Sequence, residues 1–155
     1  MLPELLIFVL VCYAQSGETK TSEEWKKLME KSAAECIGEL KLENEMSPSF
    51  SMRILVNLTQ PEEFSENLKC ITKCVAEKFN GQELSNAEAF IERDIETARD
   101  VLKAENLSPT QIDSYVQANE PCYEKFRRSG RNDCDTYLTL YLCSKGALVE
   151  IMQIN

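Results

Sequence analysis

Apolar residues recur along this chain at helical rather than strand spacing, and the segments they mark are short. Thr21-Ser22-Glu23-Glu24 is a capping box. It opens a first helix in which Trp25, Leu28, Met29, Cys36, Ile37 and Leu40 share one face. Ser47-Pro48 opens a weaker helical segment with Met52, Leu55 and Leu58 inward. Pro61 suits a first helical position, and the stripe Phe64, Leu68, Ile71, Val75 and Phe79 predicts a helix from there to Asn80-Gly81. Ser85-Asn86-Ala87-Glu88 is a second capping box, leading into Phe90, Ile91, Ile95, Ala98, Val101 and Leu102. Ser108-Pro109-Thr110-Gln111 is a third, leading into Ile112, Tyr115 and Val116. Pro121 is expected to kink or end that helix just before Cys122, because it lacks the backbone donor a helix interior needs. A last helix is expected to begin near Asp133 or Asp135 and to carry Tyr137, Leu138, Tyr141 and Leu142. The tail from Gly146 to Asn155 is apolar for a chain end; a lid over the interior and a frayed terminus are both open for it. The predicted fold class is all-α, with about six short helices.

The start of the chain has a different character. Leu5 to Val11 is an unbroken apolar run, too short to span a bilayer and of the length of a signal-peptide core. Cys12-Tyr13-Ala14 follows with small residues at the cleavage spacing. Residues 1–14 are therefore expected to be a signal peptide cut after Ala14, with a cut after Ser16 as the alternative, and residues 15–155 one helical domain. The n-region carries Glu4 and no Lys or Arg.

Cleavage would remove Cys12 and leave six of the seven cysteines: Cys36, Cys70, Cys74, Cys122, Cys134 and Cys143. An even number behind a secretion signal reads as a disulfide framework whose connectivity the count alone leaves open. Cys70 and Cys74 sit one turn apart on one helix face with near-parallel Cβ directions, so each should reach a different element. Cys134 and Cys143 would lie about 13.5 Å apart along one helix, beyond disulfide reach. Metal binding is disfavoured, since the chain has no histidine and no C-x2-C pair.

The net charge is −9, and Lys and Arg are scattered among Asp and Glu apart from the run Lys125, Arg127, Arg128 and Arg131, which reads as a solvated helix end. An acidic surface repels phosphate backbones and anionic lipid heads, so neither nucleic acid nor stable membrane insertion is expected. The lack of histidine removes Ser-His and Cys-His nucleophiles and most zinc mechanisms. Glu92, Asp94 and Glu96 are spaced i, i+2 and do not face one another on a helix; they read as solvated surface. No catalytic set, no cofactor and no enzyme activity is expected. Without histidine, ligand affinity is expected to change little between pH 7 and 5.5.

Cysteines separated by thirty-three, three, forty-seven, eleven and eight residues resemble the six-cysteine pattern of insect odorant-binding proteins, the pheromone-binding and general-odorant-binding family. The three- and eight-residue gaps are its most specific marks, and the likeness covers about residues 21–145. That resemblance implies pairing of Cys36 with Cys74, Cys70 with Cys134 and Cys122 with Cys143, around an internal hydrophobic cavity. The first gap and the forty-seven-residue gap are long for the family, and Pro121 falls where its members usually have continuous helix.

Under this reading the cavity wall is expected to comprise Met52, Leu55, Leu58, Phe64, Ile71, Val75, Phe90, Ile91, Ile112, Tyr115, Val116, Tyr137, Leu138 and Tyr141. Covalent staples let short helices tolerate an unfilled interior, and burying an apolar ligand there gains about 25 cal/mol per Å2. Tyr115, Tyr137 and Tyr141 offer hydroxyls to a polar head group. Asn57-Leu58-Thr59 is a glycosylation sequon, and Asn106-Leu107-Ser108 a weaker one ahead of Pro109. The function expected is an extracellular, non-catalytic carrier of small hydrophobic molecules such as odorants or pheromones. It would be a monomer or weak dimer, with a chemosensory receptor as a further partner. The alternative is a secreted interaction protein of reproductive or salivary fluid that uses the same scaffold against a protein partner.

Overall fold

The computed structural model describes residues 20–47 and 57–153. Five α-helices account for most of them: α1 Ser22–Glu39, α2 Glu66–Asn80, α3 Ala87–Ala104, α4 Pro109–Ser129 and α5 Cys134–Gln153, with a single 3-10 turn at Pro61–Glu63. The described residues are all-helical, as the periodicity predicts, with five α-helices where about six are expected for the whole domain. Most of the sixth, the segment opening at Ser47-Pro48, lies outside the described residues, together with the leader.

The helix starts follow local chemistry. Thr21 Oγ1 accepts from Glu24 N at 3.3 Å while Glu24 Oε2 accepts from Thr21 N at 2.7 Å, so the first capping box forms as read. Ser108 and Gln111 form the same reciprocal pair at α4. Two starts differ from the reading. α2 does not begin at Pro61: the chain makes only a 3-10 turn there, and Ser65 caps the helix by accepting from Leu68 N at 3.2 Å. Phe64 therefore precedes α2 and reaches the core from an extended residue. At α3 the cap is Asn86, not Ser85, with its Oδ1 accepting from Ala89 N at 3.3 Å. Gly81 and Gly130 end α2 and α4 at φ +60, the left-handed turn that glycine takes without strain.

α4 runs unbroken through Pro121, against expectation. The proline lies on the exposed side, so the carbonyl it leaves unbonded can turn to water. The opposite face carries Cys122, Tyr123 and Phe126 into the core, which offsets the lost hydrogen bond.

α5 packs along both α4 and α2; α1 lies against α2, and α3 against α4. The structure joins Cys36 to Cys74, Cys70 to Cys134 and Cys122 to Cys143, with Cα separations of 5.9, 4.9 and 5.8 Å. α2 is thereby tied to α1 and to the start of α5, and the middle of α5 to α4. Lys145 of α5 donates to the Leu58 carbonyl at 2.6 Å and holds the approach to the 3-10 turn against the helices. The apolar tail is not frayed in its described part. α5 continues to Gln153, and Leu148 is buried against Ala98, Leu102, Ile112 and Tyr115.

Candidate functional site

The buried apolar side chains fall into two clusters rather than one. The larger holds Phe64, Ile71, Val75, Phe90, Ile91, Tyr137, Leu138 and Tyr141, with Leu58 packed against it. The smaller holds Ile112 and Tyr115, with Val116 packed against it and Leu148 closing it from α5. The fourteen residues expected to line one cavity are thus divided, and Met52 and Leu55 lie outside the described residues. The buried members of the set are between 0 and 7% exposed. Aromatic edges order the larger cluster: Tyr137 meets Phe90 at 6.1 Å and Tyr141 meets Phe64 at 6.4 Å, both T-shaped.

A band of polar side chains joins the two clusters at the α3–α4 contact. Tyr115 belongs to the smaller cluster and Tyr123 to the larger, two helical turns apart on α4, with Asn119 between them. Asn119 Nδ2 donates to Tyr115 Oη at 2.7 Å and more weakly to Tyr123 Oη at 3.4 Å. Tyr123 Oη donates to Asp94 Oδ2 at 2.6 Å, and Asn80 Nδ2 of α2 approaches Asp94 Oδ1 at 3.4 Å. Asn80, Asp94 and Asn119 are 0, 1 and 0% exposed.

Asp94 overturns its reading as solvated surface, whereas Glu92 and Glu96 are exposed as expected. The signal was present in the spacing. Position 94 falls three and four residues after Ile91 and Phe90 and four before Ala98, on the stripe that α3 buries. Burial raises its carboxyl from the ordinary 3.8 to about 7, against the hydrogen bonds from Tyr123 and Asn80 that favour the charge; no lysine or arginine is among the groups that set it. The Tyr115 and Tyr123 hydroxyls are pushed well above 10, first by burial and then by the charge of Asp94. The expectation of little change between pH 7 and 5.5 rested on no side chain titrating in that interval. Burial instead brings the Asp94 carboxyl to the upper edge of that interval.

The band is rich in acceptors. Asn80 Oδ1 and Asn119 Oδ1 are buried acceptors with no hydrogen-bond partner among the described residues, and the buried Thr97 hydroxyl of α3, which can donate or accept, has none either. Leaving such an atom unsatisfied costs about 1–3 kcal/mol, so each is a place where an O–H or N–H from a ligand would be gained at full value. No nucleophile is paired with a base here; the carboxylate's shortest partner is a phenol that is itself held neutral. Among the described residues, no three His, Cys, Asp or Glu side chains converge as a metal ion needs, and no helix is long and apolar enough to cross a membrane.

Tyr123→Phe should remove the shorter of the two donors to Asp94 found among the described residues. The expected result is a loss of about 1.5 kcal/mol in unfolding free energy and an Asp94 midpoint raised further, read by denaturant titration at several pH values. A variant with unchanged stability and midpoint would show that the phenol does not hold the carboxylate.

A family model described as the PBP/GOBP family matches residues 18–147. No match is found among curated proteins or among solved structures.

Proposed function

Because the chain belongs to the PBP/GOBP family, a family of small-ligand binding and transport proteins, we propose that it is a secreted, non-catalytic carrier of small hydrophobic molecules of the odorant or pheromone kind. The observation that carries this reading is the family match over nearly all of the helical domain. The disulfide-tied helices around an apolar interior agree with it. The leader, cut after Ala14 or Ser16, would deliver the chain to a compartment where three disulfides persist.

In this reading the ligand's apolar body lies against the larger cluster, drawing on Phe64, Ile71, Val75, Phe90, Ile91, Tyr137, Leu138 and Tyr141, with Leu58, Met52 and Leu55 from the preceding segment. Ile112, Tyr115 and Val116 take part from across the polar band. Its head meets that band, whose unpartnered acceptors favour an alcohol or amine over an ester or ketone of equal size. Displacement of a fluorescent apolar probe, 1-aminonaphthalene bearing an N-phenyl group, tests both parts. The expected result is micromolar, displaceable binding, with a long-chain alcohol competing about tenfold better than its methyl ether. No probe binding by folded, disulfide-intact protein would remove the carrier reading. Equal competition by the two compounds would remove the head-group assignment alone.

A further inference from the structure

A pocket of about 180 Å3 opens between the last turns of α4 and the first half of α5; Cys122, Phe126 and Leu140 of its lining belong to the larger buried cluster, but none of its lining residues is among those assigned above to the carrier site. Its floor is apolar: the Cys122–Cys143 disulfide, Phe126 and Leu140. Its rim carries Lys125 and Arg131. The size is informative, since an apolar cavity of about 150 Å3 holds a benzene ring.

The polar groups around it divide sharply into those already committed and those free. Ser129 Oγ donates to the Phe126 carbonyl at 2.7 Å. Thr136 Oγ1 donates to Asp133 Oδ1 at 2.8 Å, and Thr139 Oγ1 to the Asp135 carbonyl at 3.0 Å. The hydroxyl protons are therefore spent within the protein. Arg131 gives Nε and one terminal nitrogen to Asp133 Oδ2, both at 2.7 Å, which leaves its other terminal nitrogen unused. Asp133, next to the rim in sequence, has its two oxygens taken by Arg131 and by Thr136 N and Oγ1. Lys125 is exposed and forms no ion pair among the described residues, although its neighbours Arg127 and Arg128 are tied to Glu88, Glu120 and Glu124. Lys26, Lys27, Lys41 and Lys103 likewise form no ion pair among the described residues, but Lys125 is the lysine that lines this pocket.

From these observations we infer that the α4–α5 pocket is a second, superficial binding site for small organic anions, a carboxylate on an aromatic ring or short alkyl chain, separate from the interior carrier site. The ring or chain lies on the disulfide, Phe126 and Leu140. The carboxylate oxygens accept from Lys125 Nζ and from the unused nitrogen of Arg131. A neutral alcohol of the same shape can still accept from these two nitrogens but brings no charge to them, and so gains less.

The test uses 4-fluorobenzoate with the mature, disulfide-intact protein, read by 19F line shape and by amide shifts in 15N-labelled material at low salt. Saturable millimolar binding is expected, with shifts confined to residues near Lys125–Arg131 and Thr136–Cys143. Binding should weaken about tenfold in Lys125→Gln, weaken as salt is added, and be about tenfold poorer for 4-fluorobenzyl alcohol. Lys125 is exposed, so the variant should fold as the parent does; Thr139→Trp, which fills the pocket from α5, is a second variant expected to abolish binding. The inference is overturned by absence of saturation, by equal affinity in Lys125→Gln, by unchanged binding in Thr139→Trp, or by shifts that centre on Phe64, Ile71, Val75 and Phe90 instead.

Discussion

Thermal stability is expected to fall as pH rises from 5 to 8.5, by about 2.5 kcal/mol or about 5–10 °C in Tm, and Asp94→Asn is expected to abolish most of that fall. The direction follows from where the proton sits. Below the ordinary 3.8 the Asp94 carboxyl is neutral in both folded and unfolded chains, and its burial is not opposed. Between 3.8 and about 7 the unfolded chain gives up this proton while the folded core retains it, so each step up in pH favours unfolding. Above about 7 the carboxylate is ionised in both states. Folding then carries the full cost of burying it, about 4 kcal/mol. The acids whose ionisations are lowered in the fold, Glu24, Glu63 and Asp133, contribute with the opposite sign. Backbone and side-chain hydrogen bonds hold them ionised, and their stabilisation is lost only as pH falls toward and below the ordinary carboxylate range, outside this interval. Melting curves of the parent and Asp94→Asn across pH 5 to 8.5 decide the matter. Parallel curves for the two proteins would mean that another group sets the dependence.

Replacing Cys70 and Cys134 together by alanine is expected to lower the unfolding free energy by about 4 kcal/mol, the largest single effect among the three bridges. This bridge closes a loop of 64 residues, against 38 for Cys36–Cys74 and 21 for Cys122–Cys143, and the entropy withheld from the unfolded chain grows with loop length. It also anchors the first residue of α5, the helix that packs along both α2 and α4. Urea unfolding of the double variant beside the corresponding Cys122/Cys143 variant gives the ranking; a smaller loss for the long loop than for the short one would show that local packing outweighs loop closure here.

The first of these results bears on function directly. The polar band that contains Asp94 is the place where the ligand's head group is proposed to lie, so the protonation of that carboxyl and the affinity for a donor head are expected to be linked. The absence of histidine directs attention away from such a link, because no side chain titrates near neutrality at its ordinary value. It is the low dielectric of the core that moves an ordinary aspartate into that range.

Several helix positions were written locally in the chain: capping residues at Thr21 and Ser108, the glycine at 81, and apolar stripes of period 3.6 are short-range chemistry, decided within a few residues. Cysteine spacing likewise sufficed to suggest the family. The start of α2 after Phe64 and the passage of α4 through Pro121 were decided by tertiary packing, because only that packing sets how much a buried face offsets a poor local start or a missing donor. Tertiary structure also divided the expected cavity wall into two clusters, since periodicity places a residue on a face but not opposite a particular neighbour. The burial of Asp94 lay between the two. Its position on the α3 stripe was legible, but a carboxylate on an apolar stripe is tolerated only where partners such as Tyr123 and Asn80 arrive from other turns of the fold.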